Sequence, residues 1–165
     1  MAMNNRVLSI EIGNSFTKIC EIDYKVKKPK VYKVLTVATS EGIVVDGMLQ
    51  PTQEYADHLV NALGSNGIHT KKVIFTISST RVASREVQIP NVKANKIEAL
   101  VKTNANDYFP VDLTQYEIGY YMAGGLAENG KLRVMALAVP KALLNSYYQL
   151  AQMCGWEIEC FDYSS

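Results

Sequence analysis

Cysteine is scarce in this sequence: Cys20, Cys154 and Cys160 are the whole complement. No pair has the spacing of a zinc site and the count is odd, so neither a structural metal nor a disulfide framework organises the chain, and reduced thiols are expected. An excess of one charge is missing too. Seventeen Lys and Arg against 16 Asp and Glu leave a net charge of +1, which removes the electrostatic footprint of a dedicated nucleic-acid binder. No apolar run is long enough to span a bilayer, and the opening MAMNNRV lacks the hydrophobic segment of a secretory signal, so a cytoplasmic chain is expected. Met1 and Ala2, ahead of a second methionine, read as an expression remnant and stay outside the fold argument. The two histidines, His58 and His69, have no patterned serine or cysteine nucleophile to serve, so no catalytic triad is expected.

What is present suits a soluble α/β (α+β) protein. A length of 165 residues with 48% hydrophobic and 20% charged residues supports one ordinary core or two small ones. Residues 6–12 alternate, with Leu8, Ile10 and Ile12 on one face, and predict a strand; Phe16 to Tyr24 predicts a second and Val31 to Thr39 a third. The connecting segment 40–49 leads to a helix from about Pro51, with Tyr55, Leu59, Val60 and Leu63 inward and Gly64 and Gly67 as its stop. KKVIFTISS then reads as a strand buried on both faces. From Arg85 the pattern restarts: strand REVQIP, a helix over Asn95 to Tyr108, and the strands TQYEIGYYMAG and KLRVMALAVP. A helix then carries Leu143, Tyr147, Leu150, Ala151 and Cys154 inward until Gly155, and WEIECFD is a last strand. That order, βαββαβ, predicts a ferredoxin-like subdomain. The clustered tyrosines of this half are read as covering its sheet. The basic link KVKKPK reads as a solvated hairpin turn that anionic lipid would reach if a membrane were near.

The most informative stretch is VLSIEIGNSFTKICEID, Val7 to Asp23. Gly13-Asn14 or Asn14-Ser15 supplies a tight turn, for which residues tolerant of positive φ are expected. Such a tip presents successive backbone N–H groups, with Gly13 leaving room for a phosphate to approach. Ser15 and Thr17 offer hydroxyl donors, Lys18 a compensating charge and Glu11 a carboxylate for a hydrated Mg²⁺. The same residues also fit an ordinary exposed hairpin.

A Gly-polar first hairpin followed by a third strand, a helix and a buried fourth strand is similar to the opening half of the actin-like, ribonuclease-H-like fold. IEIGNSFTKICEID resembles the first phosphate motif of the PilM family, actin-like ATPases of type IV pilus assembly related to FtsA. The segments EGIVVDGML, KKVIFTISSTRVASREVQIP, EALVKTNANDYFPVDLTQYEIGYY and VMALAVPKALLNSYYQLAQMCGWEIECFD extend the resemblance through nearly the whole chain. It implies an N-terminal fragment of a longer protein, since family members continue into a second phosphate loop, an adenosine-binding region and a further domain.

By that resemblance, residues 1–82 correspond to part of subdomain 1A, 83–160 to an inserted ferredoxin-like subdomain 1C, and 161–165 to the return toward 1A. Gly13, Asn14, Ser15, Thr17 and Lys18 would contact the phosphates of ATP, and Glu11, where the family usually has Asp, would face Mg²⁺. The resemblance further implies weak or absent ATP hydrolysis and a place at the inner face of the cell membrane. The implied partners are the cytoplasmic N-terminal tail of a PilN-like inner-membrane protein, held in a groove near Thr80 to Arg85 and Tyr116 to Met122, and other pilus assembly proteins. Membrane association would run through partners, with no role for nucleic acid. An FtsA-like division protein and a kinase or ATPase of the same superfold are the rival readings.

Overall fold

The structure, a computed structural model, describes residues 5–164, so Met1, Ala2 and Ser165 lie outside the described residues. The chain divides into two compact units, one made of residues up to Ser79 together with those from Asn145, the other of Thr80–Leu144.

The first unit is a five-stranded mixed sheet. Strands β1 (Val7–Ile12), β2 (Phe16–Asp23) and β3 (Lys30–Ala38) run antiparallel in sequence order. A short hairpin, β4 (Val44–Val45) and β5 (Met48–Leu49), leads to helix α1 (Gln53–Ser65). Strand β6 (Lys72–Ile77) returns parallel to β1. Its Val73, Ile74, Phe75 and Ile77 are all buried, as a strand flanked on both sides requires.

Leu8, Ile10 and Ile12 of β1 sit opposite Glu21, Ile19 and Thr17 of β2, and this face meets α1, whose Tyr55, Ala56, Leu59 and Leu63 are buried. Val60, expected inward, is 41% exposed, because the stripe one step round the helix already fills the sheet face. The helix is capped by Thr52, whose hydroxyl accepts from the Tyr55 N–H at 3.1 Å, so Pro51 lies before the cap instead of in the first turn. At its other end Gly67, at φ +68°, lets its own N–H reach the Gly64 carbonyl and the Ile68 N–H reach that of Leu63. The stop is therefore Gly67, with Gly64 still helical.

The second unit contains β7 (Ala83–Ile89), α2 (Ala94–Thr103), α3 (Ala105–Tyr108), one turn of 3-10 helix, β8 (Tyr116–Met122) and β9 (Leu132–Pro140), with antiparallel order β7-β9-β8. Val87, Ile89, Ile97, Val101, Phe109 and Val134 form its core, with Tyr108, Tyr116 and Tyr120 packed against it. The single helix expected over 95–108 is broken at Asn104, whose side chain donates to the Leu100 carbonyl at 3.0 Å and competes with the helical ladder.

Helix α4 (Lys141–Cys154) and strand β10 (Glu157–Tyr163) follow. The fold class is the mixed α/β one expected, but the strand WEIECFD does not complete the second sheet as a βαββαβ pattern requires. β10 lies beside β6, in parallel register from Glu157 opposite Lys72 to Tyr163 opposite Ile77. The reason is aromatic. Trp156 and Phe161 each place a ring 6.2 Å from that of Phe75, and Tyr147 of α4 meets Phe75 edge-on at 5.0 Å, so the last strand finds its apolar complement on β6.

Candidate functional site

The β1–β2 tip is a two-residue loop, Asn14-Ser15, closed by the Gly13 N–H donating to the Phe16 carbonyl at 2.9 Å. No residue of this tip has positive φ, so glycine is not needed there for its backbone freedom. It is needed for space: a Cβ on Gly13 would stand 3.0 Å from the Phe16 oxygen. The loop is tied on its other side by the Thr39 N–H, which donates to the Ser15 carbonyl at 2.9 Å.

Glu11 and Lys18 are directly opposite in the β1–β2 register. Both are exposed, on the sheet face away from α1, beside the exposed Asn14 and Ser15. The structure thus brings a cation, a carboxylate, a hydroxyl and a loop backbone to one end of one strand pair. Thr17 is placed elsewhere. It is fully buried on the α1 face, and its hydroxyl shares hydrogen bonds with those of Thr39, at 2.8 Å, and Tyr55. Burial pushes the Tyr55 phenol above its ordinary pKa, against the pull of the Thr17 and Thr39 hydroxyls, so the cluster is neutral and hydrogen-bonded.

Thr17–Thr39–Tyr55 is a brace that sequence reasoning missed: Tyr55 reads only as one inward position of a helix, and Thr39 as the end of a strand. It joins β2, the end of β3 and α1 directly behind the tip. Thr17→Val is expected to cost about 1–3 kcal/mol by stranding buried hydroxyls, read as a lower melting temperature. A melting temperature equal to the parent's would mean the cluster braces nothing.

Beside the brace, a cavity of about 680 Å³ is lined by residues that include Thr39, Ser40, Glu54, Asp57 and His58. Two carboxylates make this space unfavourable for an anion, so the exposed tip and not the cavity is the candidate phosphate site. Among the described residues there is no group of three or more His, Cys, Asp or Glu side chains able to hold a metal ion. Mg²⁺ needs none, because it keeps its waters and is held through one or two carboxylates plus phosphate oxygens, and the carboxylate exposed at the tip is that of Glu11. Among the described residues, no helix is long and apolar enough to cross a membrane.

Comparison with known proteins adds the following. The family model described as type IV pilus assembly protein PilM matches residues 9–165. The solved structure of a PilM–PilN type IV pilus biogenesis complex matches with a TM-score of 0.77 at 20% identity, over 95% of this chain and 47% of that one. The cytoplasmic domain of EpsL, an inner-membrane component of the type II secretion system of Vibrio cholerae, matches with a TM-score of 0.51 at 12% identity, over 95% of this chain and 57% of that one. This chain therefore spans about half the length of those structures, and at such identities the likeness speaks to fold. No curated protein matches it in sequence.

Proposed function

The chain belongs to the family of the type IV pilus assembly protein PilM and shares its actin-like α/β fold, and from that premise we propose that the β1–β2 tip is one wall of a nucleotide-phosphate site. The single observation that carries the reading is the placement of Glu11 and Lys18 on the same exposed face, either side of the Asn14-Ser15 loop. Lys18 would neutralise phosphate charge, and the Ser15 hydroxyl with the loop N–H groups of Asn14 and Ser15 would donate to its oxygens. Gly13 would hold the loop close, and Thr17 would act from behind by bracing it. A bound Mg²⁺ would supply charge compensation on the ATP phosphates, with Glu11 oriented toward its water shell.

In the same proposal the first unit is part of subdomain 1A and the second is subdomain 1C, so that 1C ends at Leu144 instead of residue 160, and β10 belongs to 1A. The protein works in the cytoplasm, at the inner face of the membrane, with the cytoplasmic N-terminal tail of a PilN-like protein as its partner. The complex in which the solved PilM was found supports that partner. An extended tail is recognised by main-chain hydrogen bonds and side-chain pockets.

Calorimetric titration of ATP with Mg²⁺ into the full-length protein tests the phosphate site. Loss of a charge-assisted hydrogen bond costs about 1.5–3 kcal/mol, so Lys18→Ala is expected to weaken binding by about 10-fold or more. Equal affinity of parent and variant would remove the tip from the site.

A further inference from the structure

The phosphate reading uses one end of the β1–β2 hairpin and leaves the opposite end of the sheet without a role. There the β2–β3 connection and the start of β3 form an unbroken exposed run over residues 24–34. It carries Lys25, Lys27, Lys28, Lys30 and Lys33, interspersed with Val26, Val31 and Tyr32, which are 38%, 63% and 40% exposed. Lys71 and Lys72, entering β6, share this end, because Val73 pairs with Leu8 and Leu8 with Glu21. Glu21, Asp23, Glu157 and Glu159 share this end, so its seven lysines face four carboxylates, and the excess of positive charge is concentrated at the turn that carries Lys27 and Lys28.

The base of the connection is anchored. The Tyr24 hydroxyl donates to Glu159 at 2.8 Å and the Lys25 ammonium reaches the same carboxylate at 3.1 Å, while Lys33 donates to the Asn66 carbonyl. Lys27, Lys28 and Lys30 are left at the apex, beside Val26 and Val31.

We propose that this end of the first unit is a contact surface for an anionic lipid bilayer. The turn that carries Lys27 and Lys28 lies beyond the last strand pair, Asp23 with Lys30, and so offers no sheet edge for a peptide to align on, whereas a flat anionic surface meets its lysines together and accepts Val26 and Val31 between headgroups. The eight residues of β2 put the apex roughly 25 Å from the phosphate tip, so the two sites would not compete. The contact would act directly, in addition to any tethering through a membrane partner, and it does not depend on the nucleotide reading.

The test is co-sedimentation of the full-length protein with vesicles of phosphatidylcholine alone and of an equimolar mixture with phosphatidylglycerol. Binding to the anionic vesicles only is expected, falling with salt. Each lysine near such a surface contributes about five-fold, so the combined Lys27→Ala, Lys28→Ala and Lys30→Ala variant is expected to lose on the order of a hundred-fold in partition. Its melting temperature should match the parent's, since these side chains are exposed; should it not, the single Lys28→Glu variant must still weaken partition. Equal binding to both vesicle types, or retained partition in the variants, would overturn the proposal. So would failure to sediment with the anionic vesicles together with capture on immobilised poly-glutamate, which would assign the surface to an acidic protein.

Discussion

Phe75→Ala is expected to destabilise the first unit by about 3–5 kcal/mol, the usual cost of emptying a buried aromatic position. The ring is fully buried at the centre of β6 and touches residues from three places in the sequence: Tyr147 of α4, Trp156, and Phe161 of β10. Removing it opens a cavity and also unseats the stack by which the last strand joins the sheet. At about 2–4 °C per kcal/mol for a chain of this size, the melting temperature should fall by roughly 10 °C. Trp156 is the only tryptophan, so its fluorescence reports the event at the place where it occurs. A loss below about 1 kcal/mol would mean that β10 is not docked through these rings.

Gly47→Ala should rank next, at about 2–4 kcal/mol. Asp46 and Gly47, at φ +48° and +77°, form the two-residue turn between β4 and β5, with Val45 opposite Met48. A side chain at Gly47 meets two obstacles. The left-handed backbone costs about 1–2 kcal/mol, and the new Cβ would lie 2.5 Å from the Ser78 carbonyl oxygen and 2.9 Å from the Ser79 Cβ, so backbone must move. The Gly47 carbonyl also accepts the Tyr147 hydroxyl at 2.8 Å, and a shifted turn would strand a buried phenol. Gly42 supplies the control, because it has φ +81° but nothing within 4 Å of its would-be Cβ. Gly42→Ala should show the backbone term alone. If the two variants unfold at the same denaturant concentration, the close approach to Ser78 is not what demands glycine.

Much of this architecture was legible because period and punctuation agree. Leu8, Ile10 and Ile12 alternate as a half-buried strand must, and the apolar run of β6 announced its central position. The misses share a cause: they were decided by partners distant in sequence. Trp156 and Phe161 say that a strand is apolar, not whose edge it will take, and only Phe75 settles that. Val60 fits a helical stripe as well as Leu59 does, until the sheet chooses between them. The Asp46-Gly47 turn is a different case, since its dipeptide is a recognised hairpin signal and was passed over inside a segment read as a plain connection. At the candidate site alternation places Glu11 on the face away from Leu8, Ile10 and Ile12, but its pairing with Lys18 waits on the choice of Asn14-Ser15 over Gly13-Asn14 as the turn. The burial of Thr17 against Thr39 and Tyr55 could not be read, because Tyr55 shows only that it is inward, and nothing in one dimension says that two threonine hydroxyls from β2 and the end of β3 meet it.

The parallel pairing of β10 with β6 also has a consequence in time. During synthesis the ribosome releases Lys72–Ile77 long before Glu157–Tyr163, with all of Thr80–Leu144 in between. At 5–20 residues per second, the lag of some 80 residues amounts to roughly 4–16 s. The intervening unit, contiguous in the chain, is complete at Leu144, 13 residues before β10 begins, and can condense first. Over those seconds one flank of an almost wholly apolar strand has no partner of its own, which leaves the nascent chain exposed to wrong pairing until β10 arrives.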